Sequence, residues 1–313
     1  MKFLKKLKNK IFNVLGGVLL PPVELVLVRG SGDALPNPPI FFLGAPRSGT
    51  TLAMQVITDV FDLGYLSNHH SNFYGAPALA EKLFHPTKGR PRSSYRSVHG
   101  VTNASYAPSE SSQWWYRFFR RNPRYVDLSG IEESKMLRFR KSVQSMLQAC
   151  GRPVLYKNPH AALRIQPIVK YLPESLFIIM ERDEVDNAHS LLEVRHKAYK
   201  DYQKWWSMEP PSIDDLLKLP AHEQVVEQIR HIHSTIEKDL RFSGVDSSVC
   251  FALKYEDLCN NPEREMNRLE AFFRENDCQV SRRCESPKPF PRRNQIRIDK
   301  NLYEKVREYA KKS

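Results

Sequence analysis

Residues 44–51 bring together an unusual number of groups that can hold an anion. The side chains of this loop supply one guanidinium and three hydroxyl groups, from Arg47, Ser48, Thr50 and Thr51. An apolar run precedes the loop and a helical pattern follows it, so backbone N–H groups and the positive end of a helix dipole point at one spot. The spacing therefore predicts a phosphate site, and the alternative is an ordinary turn followed by a helix cap.

The same loop departs from that of a nucleotide triphosphatase at one position. Gly44 and Gly49 stand at the Walker spacing, but Thr50 follows where a triphosphatase has Lys. The cation of the loop is Arg47 instead. Because the Walker Lys serves the β- and γ-phosphates, its absence argues against hydrolysis of ATP or GTP and favours a nucleotide with a short 5′ anion.

A second candidate anion site follows the apolar run 176–180. Arg182 is the second residue after this run, and Ser190 lies eight residues further on, two turns into a helical pattern. An arginine at the carboxyl end of a strand projects into the crevice where open α/β sheets bind ligands. Its guanidinium can hold a phosphate through two parallel hydrogen bonds, to which Ser190 adds a hydroxyl. The alternative is a surface arginine at a strand end.

The elements that must position these side chains form an alternating pattern. Apolar runs between turn residues predict strands at 39–44, 152–156, 175–180 and 248–254. Helical patterns lie between them, most clearly at 131–149 and 221–240. The predicted fold is α/β, with a P-loop-like central parallel sheet flanked by helices. The irregular, aromatic stretch 64–125 is predicted to be an insertion on the acceptor side, and residues 200–212 to form the opposite wall.

The Pro-Arg-Ser-Gly-Thr-Thr sequence after an apolar strand resembles the 5′-phosphosulfate loop of sulfotransferases that use 3′-phosphoadenosine 5′-phosphosulfate (PAPS). The form with Arg47 is similar to the carbohydrate, tyrosylprotein and bacterial branches. Arg182 and Ser190 stand at the spacing with which these families hold the 3′-phosphate. The segment Lys157-Asn158-Pro159 is similar to their Lys-(Asn/Asp)-Pro strand end. The resemblance covers roughly residues 39–275.

The resemblance implies a role for each matching residue. The cofactor-binding residues are Arg47, Ser48, Gly49, Thr50, Thr51, Arg182, Ser190 and Tyr255. Within this set Tyr255 matches a position that reaches the adenine ring, although a core tyrosine is the alternative. Arg47 is also expected to act in catalysis as the cation on the leaving group. Lys157 is expected to contact the transferring sulfate, and its alternative is a strand-end lysine with its tip in water.

Glu110 is the predicted general base for the acceptor hydroxyl. It lies in a Pro-Ser-Glu segment near Trp114 and Trp115, where relatives often read Pro-His-Glu. This chain has Ser109 at the histidine position. The resemblance places the Pro-x-Glu segment on the acceptor side, where a partly buried carboxylate suits general-base catalysis. The alternatives for Glu110 are a helix N-terminal residue or a plain surface acid. The rival bases are three histidines: His70, His99 and His160.

Basic charge concentrates at the two ends of the 313-residue chain. The net charge is +13, and residues 1–30 contribute +5 while residues 281–313 contribute +7, so the rest is near neutrality. We predict a basic, amphipathic N-terminal segment at 1–32 that lies on an anionic membrane, or packs on the sulfotransferase domain at 33–313. The C-terminal segment 281–313 is expected to close over the nucleotide. Its candidate contacts, Arg292 and Arg293, are equally consistent with a solvated tail.

Composition also bears on the cellular location and the partners of the protein. Five cysteines at non-metal spacing and a mean hydropathy of −0.51 favour a cytoplasmic protein, peripheral at the inner membrane surface, although a Cys278–Cys284 pair is the alternative in an oxidising compartment. No metal is expected to take part. No nucleic-acid partner is expected either, since zinc-finger spacing and DNA-binding helix pairs are missing from the sequence.

The predicted function is transfer of a sulfuryl group from PAPS to a hydroxyl of a glycan, glycolipid or small-molecule acceptor. Two alternatives remain open at this point. One is a P-loop-type kinase for a small molecule, which would need ATP. The other is a catalytically inactive, sulfotransferase-like protein that binds the nucleotide.

Overall fold

A five-stranded, wholly parallel sheet forms the centre of the protein, with strand order β2-β3-β1-β4-β5. The computed structural model describes residues 34–96, 102–122, 124–291 and 295–312. The strands are β1 (Ile40–Gly44), β2 (Gly64–Tyr65), β3 (Val154–Lys157), β4 (Leu176–Glu181) and β5 (Cys250–Lys254). Since β3 lies on one side of β1 and β4 on the other, the crevice above β1 is where an open α/β sheet binds its ligand.

Twelve α-helices lie within the described residues. The first six are α1 (Thr50–Val60), α2 (Asn68–Asn72), α3 (Pro77–Phe84), α4 (Ser112–Trp115), α5 (Glu133–Cys150) and α6 (Ile165–Tyr171). The other six are α7 (Glu184–Tyr199), α8 (Ile213–Leu216), α9 (Ala221–Phe242), α10 (Tyr255–Asn260), α11 (Pro262–Glu275) and α12 (Lys300–Ala310). Short 3₁₀ turns occur at Leu128–Gly130, Pro159–Leu163 and Ser247–Val249.

Alternation along β1 explains why both faces of the sheet are covered. Phe41 and Leu43 pack into the core beneath α5, α7 and α9, whereas Ile40 and Phe42 pack into a second core with α1 and α11. Successive side chains of a strand point to opposite faces, so an apolar run without polar interruptions requires helices on both sides. The predicted α/β sheet flanked by helices is confirmed.

The four predicted strands are present, but the sequence did not reveal β2. Gly64–Tyr65 is only two residues long, so it carries no alternating pattern, and it pairs with β3 at the edge of the sheet. It opens the stretch 64–125 that the sequence marked as irregular. That stretch contains the short helices α2, α3 and α4 between its loops.

The two tryptophans beside Glu110 belong to the core rather than to an acceptor wall. Trp114 stacks on Tyr156 of β3 with ring centroids 5.4 Å apart, and Trp115 meets Phe41 of β1 edge-on at 6.1 Å. Both side chains are fully buried. Helix α4 therefore anchors the acceptor-side stretch to the sheet, and this anchoring fixes the backbone that leads out of Glu110.

Several predictions fall outside the described residues. These are the N-terminal segment 1–32, His99, Arg292 and Arg293. Among the helices that the structure describes, none combines the length and the apolar composition that crossing a bilayer requires. The five cysteines form no disulfide, so the alternative Cys278–Cys284 pair is not present.

Candidate functional site

The loop after β1 is shaped by its two glycines. Gly44 ends the strand so close to β4 that a Cβ atom there would lie 2.9 Å from the Met180 carbonyl oxygen. Gly49 has a φ of +100°, in the left-handed region, and precedes α1 without a side-chain cap on that helix. The first N–H groups of the eleven-residue helix α1 therefore face the open end of the loop, where an anion would satisfy them.

Gly49 also makes room for Tyr255 at the start of α10. A Cβ atom at position 49 would lie 2.3 Å from Tyr255 Cδ2. The tyrosine ring thus packs on the loop and also against the core cluster that contains Ile40 and Phe42, so its contact with an adenine ring stays a prediction. Its ring face is 4.7 Å from the Arg182 guanidinium.

We expect Gly49→Ala to destabilise the fold by about 3 kcal/mol, because it adds a steric clash with Tyr255 to the cost of a positive φ. Gly244→Ala is the matched control, since Gly244 also has a positive φ (+67°) but has nothing within 4 Å of its added Cβ atom. Its expected cost is about 1 kcal/mol. Urea unfolding of the two variants measures the difference, and equal costs would contradict the packing described.

Arg47 joins the two candidate anion sites. Its Nε donates a hydrogen bond to Ser190 Oγ at 3.1 Å, and its own φ of +67° is unusual for a residue with a side chain. Arg182 Nη1 donates to the Arg47 carbonyl oxygen at 2.9 Å. The loop after β1 and the strand end of β4 are therefore hydrogen-bonded into one cationic cluster.

Ser48 is placed differently from its neighbours in the loop. Its hydroxyl donates to the Ala45 carbonyl oxygen at 2.8 Å, and its N–H is 3.3 Å from the same oxygen. The residue is fully buried. Both of its donors therefore close the turn, so Ser48 shapes the loop from inside, and its predicted contact with a cofactor stays a prediction.

Glu110 and Lys157 meet at the carboxyl end of β3. Lys157 Nζ lies 3.0 Å from Glu110 Oε1 and donates to Thr51 Oγ1 at 2.9 Å. The lysine side chain is only 6% exposed, whereas that of Glu110 is 36% exposed, so the carboxylate reaches the cleft. Asn158 Nδ2 donates to the Glu110 carbonyl oxygen at 3.0 Å and holds this backbone in place. An acid and a cation thus stand directly beside the anion loop.

Two of the rival histidines, His70 and His160, lie in the part of the chain that the structure describes, and both make contacts that hold the fold together. His70 caps α2 through Ser67 and pairs with Glu81 at 3.2 Å. His160 Nε2 lies 3.0 Å from Arg124 Nη1. Burial, reinforced by the positive charges of Arg164 and Arg124, lowers the pKa of His160 to about 3. Its ring is therefore neutral at physiological pH and is a poor proton acceptor.

Almost all of the predicted site residues line one cleft of about 680 Å³. This volume lies within the range of small-molecule sites. The predicted residues that line the cleft are Arg47, Gly49, Thr50, Thr51, Glu110, Lys157, Arg182, Ser190 and Tyr255. Trp206 and Ser207, from the predicted opposite wall at 200–212, line it as well. Trp205 instead stacks on the buried Arg195 guanidinium.

Across the described ranges, no group of three or more His, Cys, Asp or Glu side chains could hold a metal ion. His231 and His233 lie two positions apart in α9, so they project from different faces of that helix.

Comparison with known proteins identifies the family of this chain. The model of a family described as "Sulfotransferase family" matches residues 38–277, which is more than half of the chain. The chain belongs to the sulfotransferase family. The matched range begins just before β1 and ends just after α11, so it contains the anion loop, Glu110, Lys157, Arg182 and Tyr255.

Curated relatives of this chain come from mycobacteria. It is 22% identical over 265 residues to the omega-hydroxy-beta-dihydromenaquinone-9 sulfotransferase Stf3 of Mycobacterium bovis, and equally so to that of Mycobacterium tuberculosis. The match covers 77% of this chain and 64% of each relative. The chain thus spans less than two thirds of the length of these relatives.

Two solved structures are also similar to this chain. STF9 from Mycobacterium avium matches with a TM-score of 0.49 and 15% identity, covering 93% of this chain and 70% of that one. STF1 from Mycobacterium tuberculosis H37Rv matches with a TM-score of 0.49 and 14% identity, covering 82% and 70% of the two chains.

The cleft is also lined by residues to which the sequence analysis assigned no role. They include Asn158, Tyr95, His189, Glu193 and Arg297. His189 Nε2 accepts a hydrogen bond from the Arg297 N–H at 3.0 Å, and burial lowers the pKa of this histidine. Glu193 lies three residues after Ser190 and four after His189 in α7, which is the helical spacing that would have suggested it.

The described part of the C-terminal segment reaches the cleft. Phe290, Pro291, Gln295 and Arg297 line it. The Phe290 ring meets Tyr95 edge-on at 5.2 Å. Burial, together with the nearby Asp59 carboxylate, raises the pKa of Tyr95 to about 12, so this phenol stays protonated.

Proposed function

We propose that this sulfotransferase moves a sulfuryl group from PAPS to a hydroxyl of a glycan, glycolipid or small-molecule acceptor. The observation that carries the proposal is the joining of two cationic sites in one cleft. The anion loop and the Arg182–Ser190 pair open into the same cavity, and Arg47 connects them. A nucleotide with an anion at each end of its ribose matches this arrangement better than a linear triphosphate does.

The two ends of PAPS would contact different residues. The N–H groups at Gly49, Thr50 and Thr51 and the two threonine hydroxyls would hold the 5′-phosphosulfate. Arg182 and Ser190 would hold the 3′-phosphate, since a guanidinium fork and a hydroxyl offer several charge-assisted donors. Tyr255 supports the Arg182 guanidinium from its ring face.

Three groups would then carry the chemistry. The acceptor oxygen attacks sulfur while the bond from sulfur to the bridging oxygen of the 5′-phosphate breaks, so 3′-phosphoadenosine 5′-phosphate (PAP) leaves with both electrons of that bond. Glu110 takes the acceptor proton. Lys157 and Arg47 neutralise the charge that develops on the bridging and transferred oxygens. Lys157 already lies between Thr51 and Glu110, which is where a cation serves donor and base together.

The hydroxyl class of the acceptor has independent support. The Stf3 relatives are named for a hydroxylated menaquinone derivative. A carboxylate base suits a hydroxyl acceptor because the proton is lost as the oxygen–sulfur bond forms. For location we propose the cytoplasm, at an anionic membrane surface, in keeping with five cysteines that form no disulfide.

Equilibrium binding of PAP and of ADP to the purified protein tests the donor. We expect PAP to bind about 100-fold more tightly than ADP, because only PAP engages Arg182 and Ser190 with its 3′-phosphate. Equal affinities, or tighter ADP, would favour the kinase alternative. Transfer of ³⁵S from labelled PAPS to an extract of cells that encode the protein separates an enzyme from an inactive nucleotide-binding relative.

A further inference from the structure

We propose that the exposed surface at the end of α3 docks on an anionic lipid bilayer and brings the acceptor side of the cleft to the lipid. This surface, here called the α3 patch, consists of Lys82, Leu83, Phe84 and Lys88 together with Phe73. The docking itself is independent of the proposed chemistry. The part that concerns the acceptor, a lipid-borne hydroxyl, rests on the proposed function.

The apolar part of the α3 patch is continuous rather than scattered. Leu83 is 63% exposed and Phe84 is 54% exposed, although they are neighbours in the chain. The Phe84 ring lies 5.7 Å from that of Phe73 and 5.0 Å from that of His69. Single exposed apolar residues need no explanation, but an adjacent leucine and phenylalanine that continue into a second aromatic ring form a patch.

Charge points to an anionic bilayer as the occupant. Lys82 and Lys88 are exposed on either side of the apolar pair. Glu81 is the sole acidic residue between positions 63 and 109, and it is buried against His70. Apolar side chains flanked by lysines are typical of surfaces that enter the headgroup region of anionic lipids.

Phe242 is a second exposed aromatic residue, and its surroundings differ in charge from those of Phe84. Phe242, at the end of α9, is 71% exposed, which is more than Phe84. Its surroundings have mixed charge, because Lys238 and Arg241 are exposed there together with Glu237 and Asp246. This site offers apolar exposure without net positive charge and therefore serves as an internal control.

Helix α2 connects the α3 patch to the acceptor side. Asn68 and Ser71, three residues apart, share one face and line a small cavity of about 190 Å³ to which Glu110 also contributes. His69 and Phe73, four residues apart, lie on the other face and contact Phe84. The same short helix thus has the polar cavity on one side and the patch on the other. A hydroxyl on a lipid headgroup would reach Glu110 from this side.

Co-sedimentation of the full-length protein with vesicles tests the docking. Vesicles of phosphatidylcholine alone are compared with vesicles that also contain phosphatidylglycerol. The test variant is Leu83→Ser/Phe84→Ser, and the matched control is Lys238→Glu/Phe242→Ser. We expect the wild type to prefer the anionic vesicles, the test variant to lose about fivefold or more of that binding, and the control to keep it.

Three results would overturn the docking proposal. They are no binding of the wild type to anionic vesicles, equal binding to neutral vesicles, or unchanged binding of the test variant. Concentration-dependent self-association that the test variant removes, without vesicle binding, would assign the patch to a second copy instead. PAP affinity of the test variant should equal that of the wild type because the patch lies outside the cleft. A failure of docking is therefore distinguishable from a failure of the proposed sulfotransferase activity.

Discussion

Glu110→Gln is expected to lower kcat about 1,000-fold while leaving the affinity for PAP within about twofold. The amide keeps the size of the side chain but cannot accept the acceptor proton. The carboxylate lies 3.0 Å from Lys157 Nζ and is partly exposed to the cleft, so its loss acts on the reacting groups rather than on the core. Steady-state transfer of ³⁵S from PAPS gives kcat, and calorimetry gives the PAP dissociation constant.

Glu174→Gln provides the matched control for this change. The Glu174 side chain is 37% exposed and paired with Arg140 at 2.6 Å, so it has nearly the exposure of Glu110 and a comparable ion pair. It stands apart from the residues that line the cleft. We expect its kcat to stay near that of the wild type. A Glu110→Gln variant with full activity would remove Glu110 from the mechanism and leave the choice of base open.

Arg182→Ala is expected to weaken PAP binding about 100-fold, or ~2.7 kcal/mol, and to change the affinity for AMP by only a few-fold. AMP lacks the 3′-phosphate that the guanidinium is proposed to hold. Arg182→Lys retains the charge but loses the planar fork, so an intermediate loss of about tenfold is expected. Titration of each variant with PAP and with AMP measures these differences.

The comparison with AMP separates recognition from folding. Arg182 also donates to the Arg47 carbonyl oxygen, so its removal loosens the anion loop to some extent. A loosened loop would weaken AMP and PAP alike, because both nucleotides place a 5′-phosphate there. A parallel loss for the two nucleotides would therefore contradict the assignment of the 3′-phosphate to Arg182.

The anion loop could be predicted from the sequence because its structure is local. Gly44, Arg47 and Gly49 lie within six residues, and the strand and helix that flank them have strong apolar patterns. The proximity of the two anion sites could also be predicted, because parallel strands end at the same edge of a sheet. A short sequence signal and one topological rule were therefore sufficient for this half of the site.

The geometry of the acceptor side could not be predicted in the same way, because it depends on contacts between residues that are far apart in the sequence. Glu110 and Lys157 are 47 positions apart, and the hydrogen bond of Arg297 to His189 spans 108. No local pattern specifies such pairs. The first follows from the packing of α4 on β1 and β3, and the second from the packing of the C-terminal segment on α7. The placement of Trp114 and Trp115 shows the same limit. Their composition suggests a binding surface, whereas the stacking of Trp114 on Tyr156 puts them in the core.

A crystal structure of the protein with PAP bound tests the central claim most directly. We predict the 5′-phosphate at the N–H groups of Gly49, Thr50 and Thr51, and the 3′-phosphate within hydrogen-bond distance of Arg182 and Ser190. A nucleotide bound in the opposite orientation, or with its 3′-phosphate in solvent away from Arg182, would contradict the proposed donor site.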